Sequence, residues 1–180
     1  VVAAQMSPHP AMWVIRDADS TIYLFGSIHV MKDGVNWLTP DIRPKFESAD
    51  DLWLEVPDLD NTLAVVQTAQ KYTMNPANDM TRGLTLEEVT KLDALLAPYG
   101  LNSQKMQGAK KWAVGLFLAT QQMQASGYAP KTGVDITLLD GARYFGKRVH
   151  GFETIDEQMQ FLAPKTDAED LAALRAAIKD

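Results

Sequence analysis

The run Thr21-Ile22-Tyr23-Leu24-Phe25-Gly26-Ser27-Ile28-His29-Val30 constrains the fold more than any other part of the chain. Ile22 to Phe25 is short, apolar and rich in β-branched and aromatic side chains, which predicts a buried strand. Gly26 then lets the backbone bend or approach a neighbour without a Cβ in the way. Three residues on, His29 carries the side chain best suited to bind a metal or move a proton near neutral pH. In open α/β sheets the ligand crevice lies beyond the carboxyl ends of the strands, so a histidine delivered there is placed for chemistry.

The rest of the chain reads as an alternation of strands and helices. Met12 to Arg16 is a first strand, joined to Thr21–Phe25 by the turn Asp17-Ala18-Asp19-Ser20 as a hairpin. Thr39 as cap and Pro40 at the first position predict a helix to about Ser48. Leu52-Trp53-Leu54-Glu55-Val56 is the next strand, stopped by Pro57, and helix before strand is the order that βαβ topology requires. Asn61 to Tyr72 has a helical pattern. Thr85 with Glu88 forms a capping box before a helix closed by Gly100. The longest helix is expected over Ser103 to Ser126, ended by Gly127. Gly133-Val134-Asp135-Ile136 opens another, ended by Gly146. Lys147 to Phe152 is a strand, Asp156 to Leu162 a short helix, and the last helix starts near Thr166. Met and Trp residues along the longest helix read as core packing. The fold class expected is α/β, a mixed and mostly parallel sheet with helices packed on it, as a single domain over residues 1–180.

Composition removes several function classes. The 180 residues include 46% hydrophobic and 22% charged residues and carry a net charge of −6, a globular balance. No basic patch stands out, so no nucleic-acid partner is expected. The absence of cysteine excludes disulfides, thiolate metal sites and a cysteine nucleophile. The near-apolar run Ala113 to Ala119 is far short of the roughly 20 residues of a membrane span, so the chain is not read as transmembrane. Val1-Val2-Ala3-Ala4 is no signal peptide and reads at most as the remnant of a trimmed leader. A periplasmic or secreted location and a cytoplasmic one both remain open.

Three strand-like segments end in groups that bind metals: His29, Glu55 and Glu153. Parallel neighbouring strands would crowd all three on one rim, a ligand set for zinc, manganese, cobalt or iron with room for a water. Such an ion acidifies its water and polarises a carbonyl, the logic of metal-assisted hydrolysis. Each residue also has a plainer reading. His29 fits a hydrogen-bonded loop histidine, Glu55 a solvated strand end, and Glu153 an acid near a helix start. Asp135 fits an ordinary helix N-cap or first-turn acid. By period two, His150 points away from the face that carries Glu153.

Leu24-Phe25-Gly26-Ser27-Ile28-His29-Val30, Trp37-Leu38-Thr39-Pro40, Leu52-Trp53-Leu54-Glu55-Val56, Gly133-Val134-Asp135 and Gly146-Lys147-Arg148-Val149-His150-Gly151-Phe152-Glu153-Thr154 with Glu157-Gln158 together resemble the TraB/PrgY/GumN family. Order and intervals match through most of the chain. That family is related to the Tiki proteases and, more distantly, to haem-binding ChaN and erythromycin esterase. The resemblance implies an α/β fold and, by analogy with Tiki, metal-dependent peptide hydrolysis. Carried over, Gly26 and His29 match the glycine-x-x-histidine motif, and Glu55 and Glu153 the acidic positions. Ser27 stands where the family has Ser or Thr and offers a hydrogen-bonding hydroxyl. Asp135 falls within a shared motif.

The family continues into a later strand with a second glycine-x-x-histidine segment. Only His9, His29 and His150 occur here, so a domain lacking its C-terminal segment is expected, its site incomplete or completed by a second copy of the chain. The leading expectation is a metal-dependent hydrolase acting on a peptide or small molecule. In it His29 and Glu153 are ligands, and Glu55 is a ligand or the general base. The alternative is a non-catalytic protein that holds a peptide or haem in the same crevice.

Overall fold

The computed structural model describes residues 10–58 and 61–179; His9 and Val1 to Ala4 lie outside them. The elements in chain order are β1 (Met12–Arg16), β2 (Thr21–Phe25), β3 (Met31–Lys32), α1 (Arg43–Ser48), β4 (Asp51–Leu54), α2 (Thr62–Thr73) and α3 (Leu86–Leu96). They continue with α4 (Lys111–Ala125), β5 (Tyr128–Ala129), α5 (Val134–Tyr144), β6 (Arg148–Gly151), α6 (Ile155–Leu162) and α7 (Asp167–Lys179). The chain is therefore mixed α/β. Its described residues fall into two compact units, one from residues 10–57 and 126–152, the other from 58, 61–125 and 153–179.

The first unit holds every strand found among the described residues. Among the described residues these form three separate pairs rather than one mostly parallel sheet: β1–β2 and β3–β5 antiparallel, β4–β6 parallel. The β1–β2 hairpin turns on Asp17, whose Oδ1 accepts from the backbone N–H and the hydroxyl of Ser20, an Asx-type turn that needs no glycine. The strand expected to be buried is not. Paired residues share a face, so Trp13, Ile15, Ile22 and Leu24 lie together, and all four are exposed. Only the opposite face, through Met12 and Phe25, meets the core of Met31, Trp37, Ile42, Val134 and Leu138.

The helix expected from Thr39 is shorter than its signals. The Thr39 carbonyl accepts from both Ile42 and Arg43 and closes a turn, and α1 begins only at Arg43 with Pro44 in its first positions. Proline lacks the N–H that a helix interior requires, so Pro44 fixes the start near itself and not at Pro40.

The regular elements of the second unit's described residues are helices, joined by loops, with one isolated bridge between Met74 and Ala109. Its core is Met80, Leu92, Leu96, Ala109, Val114, Leu118, Leu174 and Ile178. The Thr85/Glu88 capping box forms as read, and an equivalent box at Thr154/Glu157 starts α6. The longest helix starts eight residues later than expected, at Lys111. Gly108 has φ +82°, left-handed backbone that a helix cannot contain. Its carbonyl and N–H are bonded to Asn75 and Asn78. The N–H groups of Lys111 and Trp112 are then capped by the two carboxylate oxygens of Asp170. A side chain 59 residues away sets this boundary, which no local pattern announces.

Candidate functional site

The site is built where two stretches of the first unit are clamped together, residues 28–32 and 128–135. β3 pairs with β5 through Met31↔Ala129 and Lys32↔Tyr128. The Thr132 hydroxyl donates to the carbonyls of Met31 and Ala129. The Val134 N–H donates to the Ile28 carbonyl at 2.9 Å. Between these bonds the His29 backbone runs hard against Gly133. A Cβ on Gly133 would sit 2.8 Å from the His29 carbonyl carbon and closer still to its oxygen. Glycine is required there by close approach.

Gly26 is different. Its φ is not positive, and a Cβ would find its nearest neighbour, the Ala11 carbonyl oxygen, at an ordinary 3.9 Å. The close approach that requires glycine is at Gly133 and not at Gly26.

One residue beyond Val134, Asp135 lies in the first turn of α5, where the helix dipole favours a negative charge. The helix-start reading of Asp135 holds, and its side chain has a second task. It is buried, 7% exposed, and its Oδ2 stands 2.5 Å from His29 Nδ1. A carboxylate can only accept, so Nδ1 carries the proton. In the neutral ring the lone pair then lies on Nε2, pointed away from the core. Gly133, Val134 and Asp135 thus act in succession on one loop: space for its backbone, a bond to Ile28, and a fixed imidazole.

His29 Nε2 faces Glu55 Oε2 at 3.6 Å, with both side chains more than half exposed. Glu55 follows β4 directly, so the strand end does deliver it to the histidine. The separation is too long for a hydrogen bond. It is close to the ~3.4 Å that separates two ligands of one tetrahedral ion with bonds near 2.1 Å. The pair therefore fits two positions around a divalent cation, and Asp135 on the other ring nitrogen is the partner that metal-bound histidines commonly have. Among the described residues, no group of three or more His, Asp or Glu side chains is arranged to hold an ion. Glu153 belongs to the helical unit, between β6 and α6. Ser27 is exposed and lines a cavity beside the histidine loop.

His150 has other work. Its Nε2 meets Asp51 at 2.8 Å, and its ring stacks on Trp53 at 4.6 Å between centroids. Arg148 holds Asp51 through two bonds of 2.7 and 2.6 Å. The guanidinium, and then His150, keep the Asp51 carboxyl far below the usual carboxylate range.

The TraB/PrgY/gumN family model matches residues 11–180. The chain belongs to that family. No curated protein and no solved structure matches it. Gly26 to His29 lie within the matched residues, on the loop whose imidazole Asp135 orients.

Proposed function

We propose that this protein is a metal-dependent hydrolase that cleaves peptide bonds. The observation that carries the reading is the fixed orientation of His29: Asp135 holds Nδ1, so Nε2 is presented to Glu55 across 3.6 Å. In this reading His29 is a ligand, and Glu55 is a second ligand or the general base. Manganese, cobalt or zinc suits such a nitrogen and oxygen set. A bound divalent cation would supply an acidified water and a polarised carbonyl.

The chain's own groups do the rest. Asp135 keeps the imidazole in one tautomer and one direction, so that Nε2 is ready as a donor. Glu55 as base takes a proton from the attacking water and passes it to the departing amine. The water oxygen ends on the acyl carbon, the carbon–nitrogen bond breaks, and a carboxylic acid and an amine leave. Family membership and the two-residue contact support this reading.

The test is metal content and peptide cleavage of the full-length protein beside its His29→Ala and Glu55→Gln variants, with manganese, cobalt and zinc each supplied. The expected result is cleavage that needs a metal and falls at least ~100-fold in both variants. Equal activity in wild type and His29→Ala would remove the hydrolase. Tight peptide binding without turnover at saturating metal would favour a binding protein in the same crevice.

A further inference from the structure

We propose that the cavity beside His29 is a side-chain pocket that selects a large apolar residue of the substrate, so that cleavage falls next to residues such as leucine, methionine or phenylalanine. The inference rests on the hydrolase reading for its link to cleavage, but its binding half stands on the cavity alone.

The cavity has a volume of about 560 Å³, within the range of small-molecule sites and large enough for a bulky side chain with adjoining main chain. Its walls include Ile28, Met31, Val35, Trp37 and Val134. Met31, Trp37 and Val134 are buried members of one core cluster, so these walls are formed before any ligand arrives. Ile28 is 51% exposed, an apolar residue left facing water.

Its place is what ties it to the chemistry. Two wall residues are chain neighbours of the imidazole–carboxylate pair: Ile28 precedes His29, and Val134 precedes Asp135. The Val134 N–H to Ile28 carbonyl bond joins those walls directly. Ile28 and Val134 therefore belong both to the cavity wall and to the segments that carry His29 and Asp135.

Among the described residues lining the cavity, Lys32 is the one charged group, and its Nζ sits 5.1 Å from the centre of the Tyr128 ring. That cation disfavours a basic substrate residue, whose charge would meet a like charge against apolar walls. The walls carry too few polar groups to repay the desolvation of a polar side chain. A large, uncharged apolar residue is what remains.

Two experiments decide it. In the first, isotope-labelled methyl groups of isoleucine, valine and methionine are followed by NMR while blocked single amino acids (acetyl-leucine, acetyl-phenylalanine, acetyl-glycine and acetyl-lysine methylamides) are added. The leucine and phenylalanine compounds should shift Ile28, Met31, Val35 and Val134, and the glycine and lysine compounds should not. Val35→Trp, which fills the space, should abolish the shifts. Lys32→Glu, on an exposed side chain, should let the lysine compound bind.

In the second, a peptide series varied at one position should be cleaved with at least ~10-fold higher kcat/KM for leucine or phenylalanine than for glycine or lysine. Equal shifts by all four compounds, or shifts that survive Val35→Trp, overturn the pocket. Cleavage indifferent to the varied residue overturns it too, while leaving the hydrolase intact. Selective methyl shifts without cleavage under any metal support the pocket and overturn only the hydrolase.

Discussion

Asp135 and His29, 106 residues apart in the chain, meet at 2.5 Å through a carboxylate oxygen and the imidazole Nδ1. The contact decides which ring nitrogen faces outward, and with that what the site can do. Replacing Asp135 by Ala frees the ring and permits the other tautomer. Activity on any substrate should fall ~10–100-fold. Nitrogen NMR of the His29 ring should show the proton moving from Nδ1 toward Nε2. Asn, which keeps an acceptor oxygen, should restore the Nδ1–H form in part. An unchanged ring spectrum in Asp135→Ala would show that something else orients the imidazole.

The two glycines of the site should behave oppositely. Gly133→Ala forces a methyl into the His29 carbonyl and should destabilise the first unit by about 1–3 kcal/mol, as overpacking does. Gly26→Ala meets nothing closer than 3.9 Å at non-positive φ, so its melting temperature should match wild type. Thermal melts of the two variants side by side check this, and a reversal of the order would contradict the clamp.

The start of α4 depends on one acid from α7. Asp170 accepts from the N–H groups of both Lys111 and Trp112, so Asp170→Ala leaves two buried donors open. The expected cost is about 1–2 kcal/mol, read by chemical denaturation. Thr85→Ala, which removes an ordinary local cap from α3, should cost about 1 kcal/mol.

Acid should weaken the helical unit through Glu88. The Arg175 guanidinium, bonded at 2.7 Å, and then the Thr85 N–H lower its carboxyl from 4.5 to about 2. A carboxyl with a depressed folded-state pKa stabilises the fold above its unfolded value, and loses that stabilisation as pH falls through the folded one. Melting temperature should therefore decline between about pH 4.5 and pH 2. Glu88→Gln, which cannot titrate, should flatten that part of the curve. An identical slope in both proteins would remove Glu88 as a cause.

Much of this was legible in the sequence where the cause is local. The Thr85 cap, the Asp17 turn, and the positive φ at Gly100, Gly127 and Gly146 follow from residues within a few positions. His29 and Glu55 both follow strand-like runs, and their side chains come within 3.6 Å of each other. What stayed hidden depends on partners far along the chain. Asp135 looks like any first-turn acid until the loop carrying His29 is laid against it. Lys111 looks like mid-helix until Asp170 arrives. Ile22 and Leu24 carry a core strand's composition, but among the described residues the hairpin pairs only with itself and both side chains are exposed. Gly133 and Gly26 look alike as letters and differ only in what stands beside them.

The clamp draws on both sides of the 58–125 stretch, with Ile28, His29 and Glu55 before it and Thr132 to Asp135 after it. On the ribosome, at ~5–20 residues per second, the imidazole emerges roughly 5–20 s before the carboxylate that will aim it. Through that interval the nascent chain holds a histidine with neither its bound tautomer nor its neighbouring wall. The Asp135–His29 contact can thus form only once synthesis has reached Asp135, after the residues of α2, α3 and α4 have been made.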